Sequence, residues 1–172
     1  MRPIERPVSV GTVAEAWFLK IDGIEGESTN AAHKGEIDVE SWSWGVIQTG
    51  GDAGSGGGAG KAEFQDFQFV TRISKASPQL FLSCATGTHH KWAALSGVRS
   101  AGKSKTAPFL AYKLTDVRVT SVQHGDSEAG PPMEQFSLDY SKFEISYSPQ
   151  SKSGKLEPAV VAGYDLKTNK KV

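Results

Sequence analysis

Ser55-Gly56-Gly57-Gly58-Ala59-Gly60-Lys61-Ala62 has nearly the spacing of a phosphate-cradling loop. That chemistry needs glycine at the first place and a hydroxyl at the last, and here Ser55 and Ala62 stand there. Without the terminal hydroxyl there is no magnesium ligand. The residues that follow alternate as a strand, whereas a phosphate loop must open a helix whose N-terminus faces the anion. Gly54, Gly56 and Ala59 also match the dinucleotide fingerprint. A tract this rich in glycine produces such a match by chance, and no helix follows it. Metal chemistry is no better placed. His89 and His90 are adjacent on a strand and point to opposite faces. His33 and His124 are distant in sequence, and Cys84 has no second thiol to join it. Serine, histidine and aspartate are all available for a triad, but no G-x-S-x-G elbow singles out a nucleophile. The expectation is no catalytic residue, no cofactor and no metal.

Composition supports that view. The chain has 172 residues, with 19 basic and 19 acidic side chains and a formal net charge of zero. It is the length of one domain with an ordinary core. Zero net charge without a basic cluster argues against a nucleic-acid partner. No apolar run approaches the roughly 20 residues that span a bilayer, so no membrane insertion is expected. A single cysteine excludes an internal disulfide framework. Glycine is in excess, at 19 residues against an average near 7%. The N-terminus begins with Arg2 and Arg6, but the stretch from Pro7 to Val13 is too short and too polar for a secretory signal. Residues 1–16 are therefore expected to be a disordered extension or a start-site artefact, and residues 17–172 a single domain.

The elements are mostly strands. Trp17 to Ile21 is closed by the turn signal Asp22-Gly23. Glu36 to Trp44 alternates, with Ile37 and Val39 on one face. Gly50 to Gly60 contains seven glycines in eleven residues and cannot build a core of its own. In Ala62 to Thr71, in Phe109 to Val122 and in Gln135 to Tyr147, the period-two apolar pattern changes parity midway. Such a change implies a bulge, a break, or a strand that passes from one sheet to another. Three of them in one small domain predict strongly bent sheets and a closed or nearly closed β-barrel. One helix interrupts the strands, with Ser77 expected as its N-cap, Pro78 in its first turn and Gly87 just past its end. Leu80, Phe81, Cys84 and Ala85 share its apolar face, which makes Cys84 a small buried core residue rather than a nucleophile.

Trp42 and Trp44 anchor the strand that carries Ser41 and Ser43. Alternation alone leaves these serines open either to solvent or to a polar cavity wall. The adjoining glycine tract is either a loop or an arm that orders against another subunit.

In these residues the chain resembles the Hcp family, the tube protein of bacterial type VI secretion. The matching stretches are Phe18 to Ser28, Glu36 to Val39 with Ser41-Trp42-Ser43-Trp44-Gly45, and the glycine-rich loop ending Gly60-Lys61. The Ser77-Pro78 helix running through Cys84 and Gly87 to His89, Phe143 to Gln150, and Gly163-Tyr164-Asp165 complete the set. The resemblance implies a two-sheet β-barrel with one short helix at its side. It implies hexameric rings of this chain that stack into a hollow tube, capped by a VgrG-type spike and driven by a contractile sheath. Effectors ride in the lumen, and the protein is assembled in the bacterial cytoplasm and leaves the cell without a signal peptide. By the same resemblance, loop 45–60 with Gly45, Gly50, Gly51, Gly56, Gly57, Gly58, Gly60 and Lys61 contacts neighbouring subunits or rings. The resemblance further implies that Ser43 faces the lumen, and no fused effector domain is expected in the short tail after Gln150. A phage tail-tube protein shares the architecture, and a monomeric β-barrel binding module is the alternative from another class.

Overall fold

The computed structural model describes residues 14–50, 61–99, 107–126 and 128–172. Its strands are β1 (Glu15–Ile21), β2 (Ile37–Ser43), β3 (Val46–Thr49), β4 (Lys61–Phe64) and β5 (Phe67–Arg72). The helix α1 (Ser77–Thr86) follows, and then β6 (His89–Arg99), β7 (Leu110–Gly125), β8 (Met133–Asp139) and β9 (Lys142–Tyr147). The chain ends with β10 (Val160–Asp165) and β11 (Lys170–Lys171).

Six strands close on themselves in the antiparallel order β7-β6-β1-β2-β5-β8, with β8 pairing back onto β7. Closure removes the free edges from the barrel. It depends on β7, whose first half, Leu110–Thr115, pairs with β9 and whose second half, Arg118–Gly125, pairs with β8. Between the halves Asp116 adopts φ 54°, a left-handed conformation that aspartate tolerates better than a branched residue. A second irregularity falls between Val119 and Ser121. The parity change expected in Phe109 to Val122 is thus a strand shared by two sheet segments. The other two have a different cause: Ala62 to Thr71 is two strands broken at Gln65-Asp66, and Gln135 to Tyr147 is two strands broken at Tyr140-Ser141.

A further irregularity lies in β2, where Ile37 and Val39 give way to Trp42 and Trp44. The β2–β5 register shifts between Val39 and Ser41. Val39 and Trp42 therefore both face the core, although their spacing would place them on opposite faces. Inside, Leu19, Phe67, Phe69, Leu95, Leu114, Phe136 and Leu138 are fully buried. The tract expected as one glycine-rich loop, 45–60, contains β3, which pairs with β4 as a separate two-stranded ribbon. β1 begins at Glu15, paired with Arg99, so two residues assigned to the leading extension belong to the barrel.

The helix differs from expectation at its start. Ala76, not Ser77, occupies the N-cap position, and no side chain caps it. Ser77 is buried, accepting the Ser74 N–H at 3.0 Å and donating to Glu134 Oε1 at 3.1 Å. Tertiary partners have drawn its hydroxyl away from the local role. Gly87 ends the helix at φ 63°, as its type predicts. Leu80 is buried, Cys84 is only half-buried against the core, and Phe81 and Ala85 are exposed.

Candidate functional site

The side chains that suggested chemistry do not converge. His89 lies 2.7 Å from Asp116 Oδ1, while His90 bridges the Asp22 carbonyl at 2.7 Å and Ser83 Oγ at 3.1 Å. His33 pairs with Glu36 at 2.9 Å and stacks on Phe18, with ring centroids 4.4 Å apart. Among the described residues no three His, Cys, Asp or Glu side chains stand together as a metal site. Lys61 and Ala62, the end of the phosphate-loop match, lie in strand β4 rather than at a helix start, while residues 55–60 fall outside the described part.

Two polar clusters were not foreseen. Glu134 is buried, with Oε1 facing the hydroxyls of Ser77 and Thr71 and Oε2 2.7 Å from His124 Nε2. Ser77, Thr71 and Glu134 are closed to any substrate, so this cluster ties the helix to β5, β7 and β8. Asp116 takes His89 on one oxygen and Lys167 Nζ, at 2.5 Å, on the other. Hydrogen bonds from Lys167 first and His89 second lower its pKa to about 2. Neither cluster had a sequence signal, because its residues come from different elements of the fold.

Exposed apolar surface is more informative. Val46 is 52% exposed and its neighbour Ile47 is 53% exposed, so the ribbon presents apolar groups on both faces. β3 and β4 pair with each other and with no barrel strand. A two-stranded ribbon is marginally stable alone, and contiguous exposed apolar surface marks interaction sites. Val46-Ile47-Gln48-Thr49 was legible as a β-branched run, but the adjoining glycines concealed it. β10 is the second such surface. It pairs with β9 along its whole length but with β11 only at Tyr164 and Asp165. Val160 and Val161 are 67% and 56% exposed on its free stretch.

The base of the ribbon is held firmly. The Gln65 N–H donates to the Gly45 carbonyl at 3.0 Å, and Trp44 stacks on Phe67 with centroids 4.9 Å apart. Trp42 packs between Trp17, Phe67 and Tyr112, so both tryptophans anchor β2 and its exit. Ser41 and Ser43 are exposed, Ser43 at the end of β2 opposite Gln68. Gly50 and Lys61 are exposed at the ribbon's far end, and Gly45 is half-buried at its base. Gly51, Gly56, Gly57, Gly58 and Gly60 lie outside the described residues.

A closed barrel that carries a separate ribbon with exposed Val46 and Ile47 and a strand edge with exposed Val160 and Val161 presents surfaces suited to association. Residues 18–147 match the family model described as type VI secretion system effector, Hcp. The chain is 36% identical over 155 residues to protein hcp1 of Pseudomonas aeruginosa, covering 88% of this chain and 95% of that protein. It superposes on the crystal structure of Hcp1 from Salmonella typhimurium with a TM-score of 0.76 at 36% identity, covering 92% of this chain and 99% of that one. A solved type six secretion system protein gives a TM-score of 0.86 at 29% identity, covering 92% of this chain and 100% of that one. The chain belongs to the Hcp family of type VI secretion tube proteins.

Proposed function

We propose that this chain closes into hexameric rings, that the rings stack into a hollow tube, and that the ribbon with its glycine-rich tip is the arm between rings. The observation that carries this is the exposure of Val46 and Ile47 on opposite faces of a ribbon whose strands, among the described residues, hydrogen-bond to no barrel strand. A head-to-tail contact that closes gives a ring, and extended arms then link successive rings. Gly45, Gly50, Gly51, Gly56, Gly57, Gly58, Gly60 and Lys61 belong to this arm. Ser43, exposed beside the ribbon's base, faces the lumen and meets cargo. The tube is assembled in the bacterial cytoplasm, carries effectors in its lumen, is capped by a VgrG-type spike and is expelled by a contractile sheath.

The test is the oligomeric state of the full chain by light scattering and electron microscopy. Wild type should give open rings near six subunits that stack at high concentration. The pair Val46→Ser and Ile47→Ser should keep the rings and lose the stacks. A wild-type monomer under all conditions would overturn the proposal. Ser43→Arg should leave rings intact and impair cargo retention; dissolved rings would instead make Ser43 an interface residue.

A further inference from the structure

The direction in which the ribbon projects is set from outside the ribbon. Among the described residues, its ring contacts with the rest of the chain are those of Phe64, which is half-buried against the core. Phe64 lies 5.5 Å from the Phe143 ring, tilted by 52°, and 5.5 Å from the Tyr164 ring, tilted by 30°. Phe143 and Tyr164 are direct cross-strand partners in the β9–β10 ladder. Phe64 therefore sits on an aromatic pair whose halves come from the barrel's extension and from the C-terminal hairpin.

That hairpin is fixed to the barrel independently of the ribbon. The Leu166 N–H donates to the Ser141 carbonyl at 2.9 Å, and Lys167 Nζ reaches Asp116 at 2.5 Å. The Asp165 carboxylate closes the β10–β11 turn by accepting the N–H groups of Lys167 and Thr168 at 2.9 and 3.0 Å. The Val172 N–H donates to the Gly163 carbonyl at 3.2 Å. A side chain on Gly163 would come within 2.9 Å of Val172 Cγ2 and 3.1 Å of the Phe143 carbonyl, so the strands approach closely beside Tyr164. At the ribbon's base the Gly45–Gln65 hydrogen bond joins its two ends, and the Tyr140 hydroxyl, donating to the Gln65 carbonyl at 3.1 Å, ties them to the barrel. A backbone pivot there leaves tilt free, and the contact of Phe64 with its aromatic seat removes that freedom.

We propose that Tyr164 is a positioning residue for the ribbon. Through Phe64, the C-terminal hairpin sets the tilt at which Val46 and Ile47 are presented to the next ring, and so governs stacking separately from ring closure. This rests on the ribbon being the arm between rings.

The experiment uses the full chain with Cys84→Ser and a nitroxide on Glu63→Cys, an exposed ribbon position. Tyr164→Ala should raise label mobility several-fold and lower the stacked fraction about tenfold, the size expected when one buried aromatic contact is lost. The population of six-subunit species should not change. Tyr164→Phe should restore both readouts, because the ring face rather than the hydroxyl makes the contact. If Tyr164→Ala does not fold, Phe64→Leu reports the same mobility from the ribbon's side. Unchanged mobility in a folded variant overturns the inference, whatever stacking does. Raised mobility with normal stacking supports the positioning role of Tyr164 and overturns instead the assignment of the ribbon to ring contacts.

Discussion

Trp44 and Tyr140 meet at an interplanar angle of 64° and both contact Phe67, the indole Nε1–H donating to the phenol oxygen at 2.5 Å. The phenol passes its own hydrogen to the Gln65 carbonyl at 3.1 Å. One hydroxyl therefore satisfies two groups at the base of the ribbon. Tyr140→Phe should cost about 1–3 kcal/mol in denaturant unfolding, because the indole N–H and the carbonyl lose a partner together. The same site predicts an alkaline transition. Burial, the largest cause, raises the Tyr140 pKa from 10.0 to about 12. The folded state favours the neutral phenol, so its contribution is complete below pH 10 and is lost as pH rises toward 12. Titration of tyrosinate absorbance in wild type and Tyr140→Phe checks this, and a component near 10 in the difference would refute it.

Gly97 stands opposite Trp17 in the β1–β6 ladder. An added Cβ would lie 2.5 and 2.6 Å from ring atoms Cζ3 and Cη2. Trp17 cannot retreat, since Trp42 and Phe109 contact it at centroid distances of 5.0 and 5.7 Å. Gly97→Ala should destabilise the fold by about 1–3 kcal/mol through overpacking. Gly125→Ala, where nothing lies within 4 Å, should stay within about 0.5 kcal/mol and serves as the control.

Asp116 combines a left-handed backbone with side-chain partners on both carboxylate oxygens, His89 and Lys167. Asparagine accepts the same backbone conformation, so Asp116→Asn removes charge without adding strain. The folded-state pKa of Asp116 is depressed to about 2 from 3.8. Its stabilisation is present above pH 4 and is lost as pH falls through the interval down to 2. Wild type should therefore lose more stability over that interval than Asp116→Asn. Thermal melts across the acid range measure the difference, and parallel curves would rule the contribution out.

Parity arithmetic made the barrel legible. Leu110, Tyr112 and Leu114 give way to Val117 and Val119 across Asp116, whose left-handed backbone lies where β7 changes partners, while the register with β6 runs on unbroken. The same arithmetic missed the shift at Glu40-Ser41, because Ile37, Val39, Trp42 and Trp44 also fit a strand with two apolar faces. The ribbon was hidden for a related reason: Val46 and Ile47 are both half exposed and lie outside the core cluster, so no core pattern marks them. Glu134 looked like any strand carboxylate, since its partners Ser77 and Thr71 come from other elements. What a residue does locally can be read from its neighbours in sequence. What it does across the barrel depends on register.

Ser77 provides a direct test of that distinction. At a helix N-cap, aspartate replaces serine with little cost. Here the serine hydroxyl lies 3.1 Å from a buried carboxylate oxygen of Glu134 and takes the Ser74 N–H on its other side. Ser77→Asp would place a second carboxylate beside the first, away from water, and should cost more than about 3 kcal/mol or force one of the two to take up a proton. Ser77→Ala, which leaves Thr71 and His124 on Glu134, should lose only about 1–2 kcal/mol. Denaturant unfolding at neutral pH gives the order wild type, alanine, aspartate. An aspartate variant as stable as wild type would show instead that Ser77 acts as a local cap and that its bond to Glu134 contributes little.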